Sequence, residues 1–175
     1  MTSGEREHVK LERDAGKAAS AIKDADDVLV VAHIDADGIC AAAIASRTLE
    51  RLNKKHDVLF VKKLDDASVA AVNSSPASLV WLADLGSGSL SSITKHNVVV
   101  ADHHVPDPGW MTGQTSLFDF SGIVHVNPHT CGMDGSEEIS GAGVTYMISR
   151  AANPKNVDLA YLAVIGAVGD IQDQA

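Results

Sequence analysis

Acidic and histidine residues follow several apolar runs in this sequence, and this pattern constrains both the fold and the chemistry. The apolar runs are residues 28–32, 79–83, 98–101 and 164–169. The polar residues that follow them are His33, Asp35 and Asp37; Asp84; Asp102, His103 and His104; and Asp170. Carboxylates that share one site repel each other unless a cation lies between them. The pattern therefore predicts a dinuclear metal site, and such a site favours phosphoester hydrolysis as the chemistry.

The first of these motifs is His33-Ile34-Asp35-Ala36-Asp37-Gly38. Its three ligand-capable side chains are spaced by two residues, so they would point to the same side if the backbone were extended. Gly38 then allows the chain to turn into a helix over residues 39–52. A single motif of this kind is typical of a solvated loop. Its recurrence after three later apolar runs favours a metal site instead.

Length and charge limit the remaining possibilities. The 175 residues suffice for one domain with a substantial core. The formal net charge of −9 argues against broad electrostatic binding of nucleic acid by this chain alone, because such binding depends on Lys and Arg. The apolar runs are too short to span a membrane, and the first 14 residues lack the apolar core of a signal peptide. We therefore expect no membrane association and a cytoplasmic location.

The apolar runs alternate with amphipathic segments along the whole chain. We predict an N-terminal helix within residues 1–26 and a domain over residues 27–175. Predicted strands cover 27–32, 57–62, 78–83, 97–101 and 122–126; predicted helices cover 38–53, 66–73, 86–95, 141–152 and 156–168; and 105–120 is a predicted loop. Continuous apolar strands between helices indicate an α/β fold, a three-layer parallel β-sheet with helices on both faces. Ligands of such folds bind at the carboxyl ends of the strands, where the motifs lie.

The four motifs, taken together and in this order, resemble those of the DHH phosphoesterase superfamily. The segments Val126-Asn127-Pro128-His129 and 140–144 are similar to the archaeal RecJ-like branch, which includes nucleases associated with the replicative helicase. The resemblance runs from about residue 27 to the end of the chain. It implies a DHH domain and a second, C-terminal substrate-binding domain that is absent from these 175 residues. We therefore expect the chain to be a fragment of a longer protein.

The resemblance also implies a cofactor and a role for each motif residue. The cofactor would be two divalent metal ions, with manganese preferred and magnesium possible. One ion would be bound by His33 and Asp35, the other by Asp37, His103 and Asp170, with Asp84 bridging them. His104 would contact the scissile phosphate, and Asp102 would orient a neighbouring histidine.

Two further segments are candidates for substrate contact. Ser140, Gly141 and Gly143 precede a predicted helix, so their N–H groups suit a phosphate; an N-cap with small residues for close packing explains them equally well. His129 matches the substrate-side loop of the RecJ-like branch and is a candidate for DNA contact. His125 and His129 are spaced like a zinc pair, although a hydrogen-bonding role at the strand end is the stronger interpretation.

Three functions are compatible with these residues. The first is a single-strand-specific exonuclease that acts on DNA or RNA. The second is a phosphohydrolase of small substrates such as pyrophosphate, short oligonucleotides or cyclic dinucleotides. The third is a non-catalytic replisome scaffold that binds a helicase accessory complex. The complete ligand set argues against the third function, and segment 126–144 favours the first over the second.

Overall fold

A parallel five-stranded sheet forms the centre of the molecule. The computed structural model describes residues 3–108 and 122–172, so most of the predicted loop 105–120 lies outside the described residues. The strands run in the order β2-β1-β3-β4-β5, and every neighbouring pair is parallel. They are β1 (Asp27–His33), β2 (Lys55–Val61), β3 (Leu79–Ala83), β4 (Val98–Ala101) and β5 (Ile123–Val126). The predicted parallel sheet is thus confirmed.

Among the described residues, five α-helices and three short 3₁₀ helices precede, connect or follow the strands. The α-helices are α1 (Ser3–Asp24), α2 (Ala36–Arg51), α3 (Asp66–Ser74), α4 (Gly141–Ala152) and α5 (Ala160–Gly169). The 3₁₀ helices are η1 (Ser87–Ser92), η2 (Pro128–Cys131) and η3 (Pro154–Leu159). The segment predicted as a helix over 86–95 is the short η1, because its Gly and Ser residues are weak helix formers. The predicted helix 156–168 is divided into η3 and α5.

The helices cover both faces of the sheet, as predicted. Alternate residues of each strand face opposite sides: Val30, Trp81 and Val99 join a core with α1, α2 and α4. Val31 and Leu82 face the other side, where the smaller core includes residues of α3 and η1. The N-terminal helix α1 buries its apolar side in the larger core. The result is a three-layer α/β architecture.

Parallel strands place their carboxyl ends at one edge of the sheet, and most of the predicted site residues lie there. His33 is the last residue of β1, Asp84 follows β3, and Asp102 follows β4. The extended backbone does not continue past His33, because Asp35 is the N-cap of α2 and Asp37 lies in its first turn. Asp170 is the C-cap of α5, so it reaches the edge from a helix rather than from a strand.

Helix α5 exposes apolar side chains at the surface of the molecule. Tyr161, Val164, Ile165 and Val168 of α5 are all more than half exposed. No helix among the described residues combines the length and the apolar character that crossing a membrane requires.

A buried polar cluster attaches η3 to α2 and α4, and it predicts a specific stability difference. The side-chain amide of Asn156 donates to the Ser149 carbonyl (2.9 Å) and accepts from Arg51 (2.9 Å). We expect Asn156→Ala to lower the free energy of unfolding by about 1–3 kcal/mol, because it removes the buried amide that bonds the carbonyl and the hydroxyl of Ser149 and accepts from Arg51. Asp158→Ala is the matched control, since it removes an exposed partner of the same Arg51 and should change little. Urea unfolding of the two variants measures the difference, and equal effects would contradict the interpretation.

Candidate metal centre

The carboxylate of Asp37 is held by the N-terminus of α4. Its side chain is buried, and it accepts hydrogen bonds from Ser140 Oγ (2.9 Å), Gly141 N (2.7 Å) and Ala142 N (3.1 Å). The first N–H groups of a helix have no partner within the helix, and the helix dipole favours a negative charge beside them. Burial nevertheless raises the pKa of Asp37 above its usual value, despite these donors.

These hydrogen bonds favour the N-cap among the two interpretations of Ser140, Gly141 and Gly143. The N–H of Gly141 is taken by Asp37, and the N–H of Gly143 is bound to Ser140 Oγ (3.2 Å), which caps α4. The first N–H groups of α4 therefore hold a carboxylate of the chain itself. Phosphate binding by Ser140, Gly141 and Gly143 would require free N–H groups, whereas the N–H groups of Gly141 and Gly143 already have partners within the chain.

Asp84 is the central carboxylate of the site. It is 1% exposed, and neither of its oxygens accepts a hydrogen bond from the described residues. Oδ2 lies 3.7 Å from His33 Nδ1, and Oδ1 lies 3.4 Å from His103 Nε2 without hydrogen-bond alignment. Burial, together with the carboxylates of Asp37 and Asp102, raises the pKa of Asp84 to about 8. A buried carboxylate without donors needs a cation or a proton.

The imidazole of His103 is oriented towards Asp84 by the backbone. Its Nδ1 lies 2.7 Å from the Gly135 carbonyl, so Nδ1 carries the proton and Nε2 faces the carboxylates. Nε2 is 3.4 Å from Asp84, 3.6 Å from Asp170 and 4.0 Å from Asp37. Burial opposes a charged ring, but Asp84 and the Gly135 carbonyl outweigh it and raise the pKa of His103 to about 9.

Gly135 and Gln172 belong to the site although the sequence analysis did not include them. The amide nitrogen of Gln172 donates to the same Gly135 carbonyl (2.9 Å) and to Asp170 Oδ2 (3.2 Å). Gln172 thus fixes Asp170 and supports the carbonyl that orients His103. Its position two residues after Asp170 is the one sequence signal for this role. Gly135 had none, since it lies 32 residues from His103.

His33 and Asp35 form the opposite side of the site. Nδ1 of His33 lies 2.6 Å from Asp35 Oδ2, but the two atoms are not aligned for a hydrogen bond. The other oxygen of Asp35 accepts from Gly38 N at the start of α2 (2.9 Å). The cap therefore fixes the Asp35 carboxylate at the edge of the site with one oxygen directed at His33.

The donor atoms of these residues gather into groups that fit divalent cations. Within each group the donor atoms lie within 4.8 Å of one another. The groups are His33, Asp35 and Asp84; Asp37, His103 and Asp170; and Asp84, His103 and His104. Asp84 belongs to two of them, and its oxygens and His103 Nε2 are buried without hydrogen bonds from the described residues. Buried polar atoms almost always have a partner, so this donor set fits bound metal.

Asp102 is paired with His104 beside the metal-binding groups. The Asp102 carboxylate is buried and accepts from Ser87 N (2.8 Å), while its other oxygen lies 2.8 Å from His104 Nδ1. Burial opposes ionisation, but the hydrogen bond and the charge of His104, with the Ser87 N–H, lower the pKa of Asp102. The same hydrogen bond raises the pKa of His104. The half-exposed His104 ring is thus held with its outer nitrogen away from Asp102.

His125 of β5 and Asn127, the N-cap of η2, support this pair. The Asn127 amide nitrogen donates to the His104 carbonyl (2.9 Å) and to Ser87 Oγ (2.8 Å), and its oxygen accepts from His129 N (2.9 Å). His125 Nε2 lies 2.8 Å from Ser87 Oγ, which is the hydrogen-bonding role that the sequence favoured over a zinc pair. Burial lowers the pKa of His125 to about 4, so its ring is neutral. Neither His125 nor His129 belongs to a metal-binding group of the described residues.

Glycines let two helices approach the buried carboxylates closely. A Cβ atom at Gly141 would lie 2.3 Å from Asp84 Oδ1, and one at Gly166 would lie 2.3 Å from Asp37 Oδ1. Such distances are far below van der Waals contact. Helices α4 and α5 therefore require glycine where they touch the site.

These contacts predict that Gly166→Ala destabilises the protein although alanine is the better helix former. We expect a loss of about 1–3 kcal/mol from overpacking against Asp37. Gly16→Ala is the matched control, because Gly16 lies in α1 with no other atom near its absent Cβ. That change should stabilise the protein by about 0.5–1 kcal/mol. Urea unfolding of both variants measures the effects, and stabilisation by Gly166→Ala would contradict the close approach.

Comparisons with known proteins agree with this fold. An uncharacterized protein of Methanocaldococcus jannaschii is 34% identical over 150 residues, which cover 83% of this chain and 33% of that protein. The single-stranded-DNA-specific exonuclease RecJ of Bacillus subtilis is 23% identical over 173 residues, covering 92% of this chain and 21% of RecJ. The chain therefore spans about a third and about a fifth of the length of these two relatives.

A crystal structure of exonuclease RecJ bound to manganese has the same fold. It superposes with a TM-score of 0.67 at 22% identity, over 92% of this chain and 43% of that chain. The family model described as the DHH family, N-terminal domain, matches residues 27–167. This match covers most of the chain and includes five of the six predicted metal ligands. The chain belongs to the DHH family of phosphoesterases.

Proposed function

We propose that this chain is the catalytic domain of a metal-dependent, single-strand-specific exonuclease that hydrolyses phosphodiester bonds of DNA or RNA. The proposal rests on the burial of the Asp84 carboxylate and on its lack of hydrogen bonds from the described residues. This carboxylate is buried between two groups of donors, and neither oxygen has a hydrogen bond from the described residues. A carboxylate with two free oxygens between two such groups is suited to bridge two cations.

The proposed ligands divide into two sets on either side of Asp84. His33 and Asp35 would hold one ion, and Asp37, His103 and Asp170 would hold the other. This mixture of imidazole and carboxylate donors suits manganese better than magnesium, which prefers oxygen ligands. We therefore propose two manganese ions, with magnesium as the alternative. When bound, they would supply Lewis acidity towards the phosphate and the attacking water.

The residues around the proposed ions would orient the ligands and stabilise the reacting phosphate. The Gly135 carbonyl holds the proton on His103 Nδ1, which keeps Nε2 free for a metal. Asp102 favours the charged form of His104 and fixes the direction of its outer nitrogen. That nitrogen would donate to a phosphate oxygen as negative charge develops on it. Asn127 holds the backbone of His104 in this position.

The proposed substrate is a polynucleotide, and the proposed partner is a protein complex. A single-stranded polynucleotide is suggested by the specificity that the name of the Bacillus subtilis relative states, and His129 is the proposed contact on the substrate side. A helicase accessory complex is the proposed protein partner. The net charge of −9 favours the second candidate function, hydrolysis of a small phosphorylated substrate, because a small substrate needs no basic surface.

The first prediction from this proposal concerns metal binding. Manganese should raise the melting temperature, because a ligand that binds only the folded state stabilises it, by about 2.7 kcal/mol at 100 times its Kd. Asp84→Asn should lose most of this shift, since it removes the shared charge. Glu137→Gln, at an exposed carboxylate, should keep it. A shift of equal size in both variants would place the metal elsewhere.

The second prediction separates catalysis from metal binding. His104→Ala should lower kcat for a phosphodiester by about 10²–10³-fold, the usual cost of removing one donor to a developing negative charge. Its manganese-induced melting shift should match that of the wild type. If the shift disappeared, His104 would be a metal ligand, the role that its group with Asp84 and His103 allows.

The third prediction compares substrates for the 175-residue chain itself. With manganese, it should cleave a small chromogenic phosphodiester faster than a single-stranded oligonucleotide of 20 nucleotides. The acidic chain attracts a polyanion weakly, and imprecise alignment of a phosphate is costly in rate. Cleavage of pyrophosphate but of neither diester would favour the second candidate function. Processive digestion of the oligonucleotide would contradict the prediction, and no hydrolysis of any substrate by the manganese-loaded chain would contradict the proposed function.

A further inference from the structure

The outer edge of the sheet is formed by β2, and this strand is exposed over most of its length. Within the described residues β2 pairs only with β1, so the backbone groups on its other side face away from the sheet. Its central side chains are apolar and more than a third exposed: Val58, Leu59 and Phe60. Val58 and Phe60 point to one face of the sheet, and Leu59 points to the other. A long, exposed, apolar edge strand is a ready template for another strand.

Lysines surround this apolar centre at both ends. The segment 54–63 reads Lys-Lys-His-Asp-Val-Leu-Phe-Val-Lys-Lys, and it contains four of the 14 basic residues in a chain of net charge −9. Lys54 donates to backbone carbonyls of residues 23 and 25, whereas Lys55, Lys62 and Lys63 have exposed side chains. We call residues 54–63 the lysine-flanked edge. Edge lysines commonly prevent strands from associating, but here they leave the centre of the strand uncovered.

The placement of the lysines argues against a second copy of this chain as the occupant. A symmetric pair of β2 strands would be antiparallel, because a two-fold axis relates the two copies. Centred on Leu59, such a pair sets Lys55 opposite Lys63. Centred between Val58 and Leu59, it sets Lys55 opposite Lys62. Like charges directly opposite each other destabilise a strand pair, so both of these registers are disfavoured.

The same pattern complements a strand of opposite charge. We propose that the lysine-flanked edge binds an extended segment of a partner protein that is apolar at its centre and acidic at both ends. The segment would add to the sheet as a sixth strand beside β2, with backbone hydrogen bonds supplying affinity and the flanking charges supplying selectivity. This surface lies on an edge strand that contributes no residue to the metal-binding groups, so the inference is independent of the proposed catalytic function.

A peptide exchange experiment tests this inference. The probe is the fluorescent nine-residue peptide Glu-Glu-Val-Thr-Ile-Thr-Val-Glu-Glu, and its binding to the 175-residue protein is followed by anisotropy. We expect the Kd to rise about tenfold when the four glutamates are replaced by lysines, since several exposed ion pairs each contribute modestly. Replacing the central isoleucine by proline should abolish binding altogether, because proline has no N–H group to donate to β2. Absence of binding by the first peptide overturns the proposal.

Charge reversal in the protein supplies the matched control. The variant K55E/K62E/K63E should reverse the preference and bind the lysine peptide about tenfold more tightly than the glutamate peptide. Its far-ultraviolet circular dichroism spectrum should match that of the wild type, which shows that the fold is intact. Hydrogen exchange should slow at residues 55–61 when the peptide binds. An unchanged preference, protection at another surface, or a dimer of the peptide-free protein would each overturn the proposal.

Discussion

Three buried carboxylates at one edge of the sheet set the main energetic constraint on this structure. Asp37, Asp84 and Asp102 are each at most 2% exposed, and a buried charge is costly unless it is paired or hydrogen-bonded. Asp37 is stabilised by the N-terminus of α4, and Asp102 by Ser87 N and His104. Asp84 has no such partner among the described residues. The fold therefore supplies hydrogen-bond donors to two of the three carboxylates and, among the described residues, none to the third.

The buried carboxylates explain why helices α4 and α5 pack so closely around the site. Helix α4 points its N-terminus at Asp37 and also passes so close to Asp84 that only glycine fits at position 141. Helix α5 approaches Asp37 through Gly166 and brings Asp170 to the site at its C-terminal end. The two helices thus serve the fold and the site at the same positions. A change that improves helix propensity at these glycines disturbs the carboxylates that the site needs.

The sequence predicts the parallel sheet and the position of most site residues, because both depend on local patterns. Apolar runs define the strands, and parallel strands bring the residues after them to one edge. The contacts that orient the site could not be predicted, since they join residues far apart in the chain. The Gly135 carbonyl reaches His103 across 32 residues, and Asp37 meets the start of α4 across 104. From the sequence, a phosphate site and an N-cap explain Ser140 and Gly141 equally well, because no local pattern shows that a carboxylate of the chain binds that helix end.

The central claim is that Asp84 bridges two ions. Crystals of the 175-residue chain grown with manganese test it most directly, through anomalous scattering measured on both sides of the manganese absorption edge. The account predicts two anomalous peaks, one beside His33 and Asp35 and one beside His103 and Asp170, each coordinated by a different oxygen of Asp84. A single peak, or two peaks of which either is out of reach of Asp84, would contradict it.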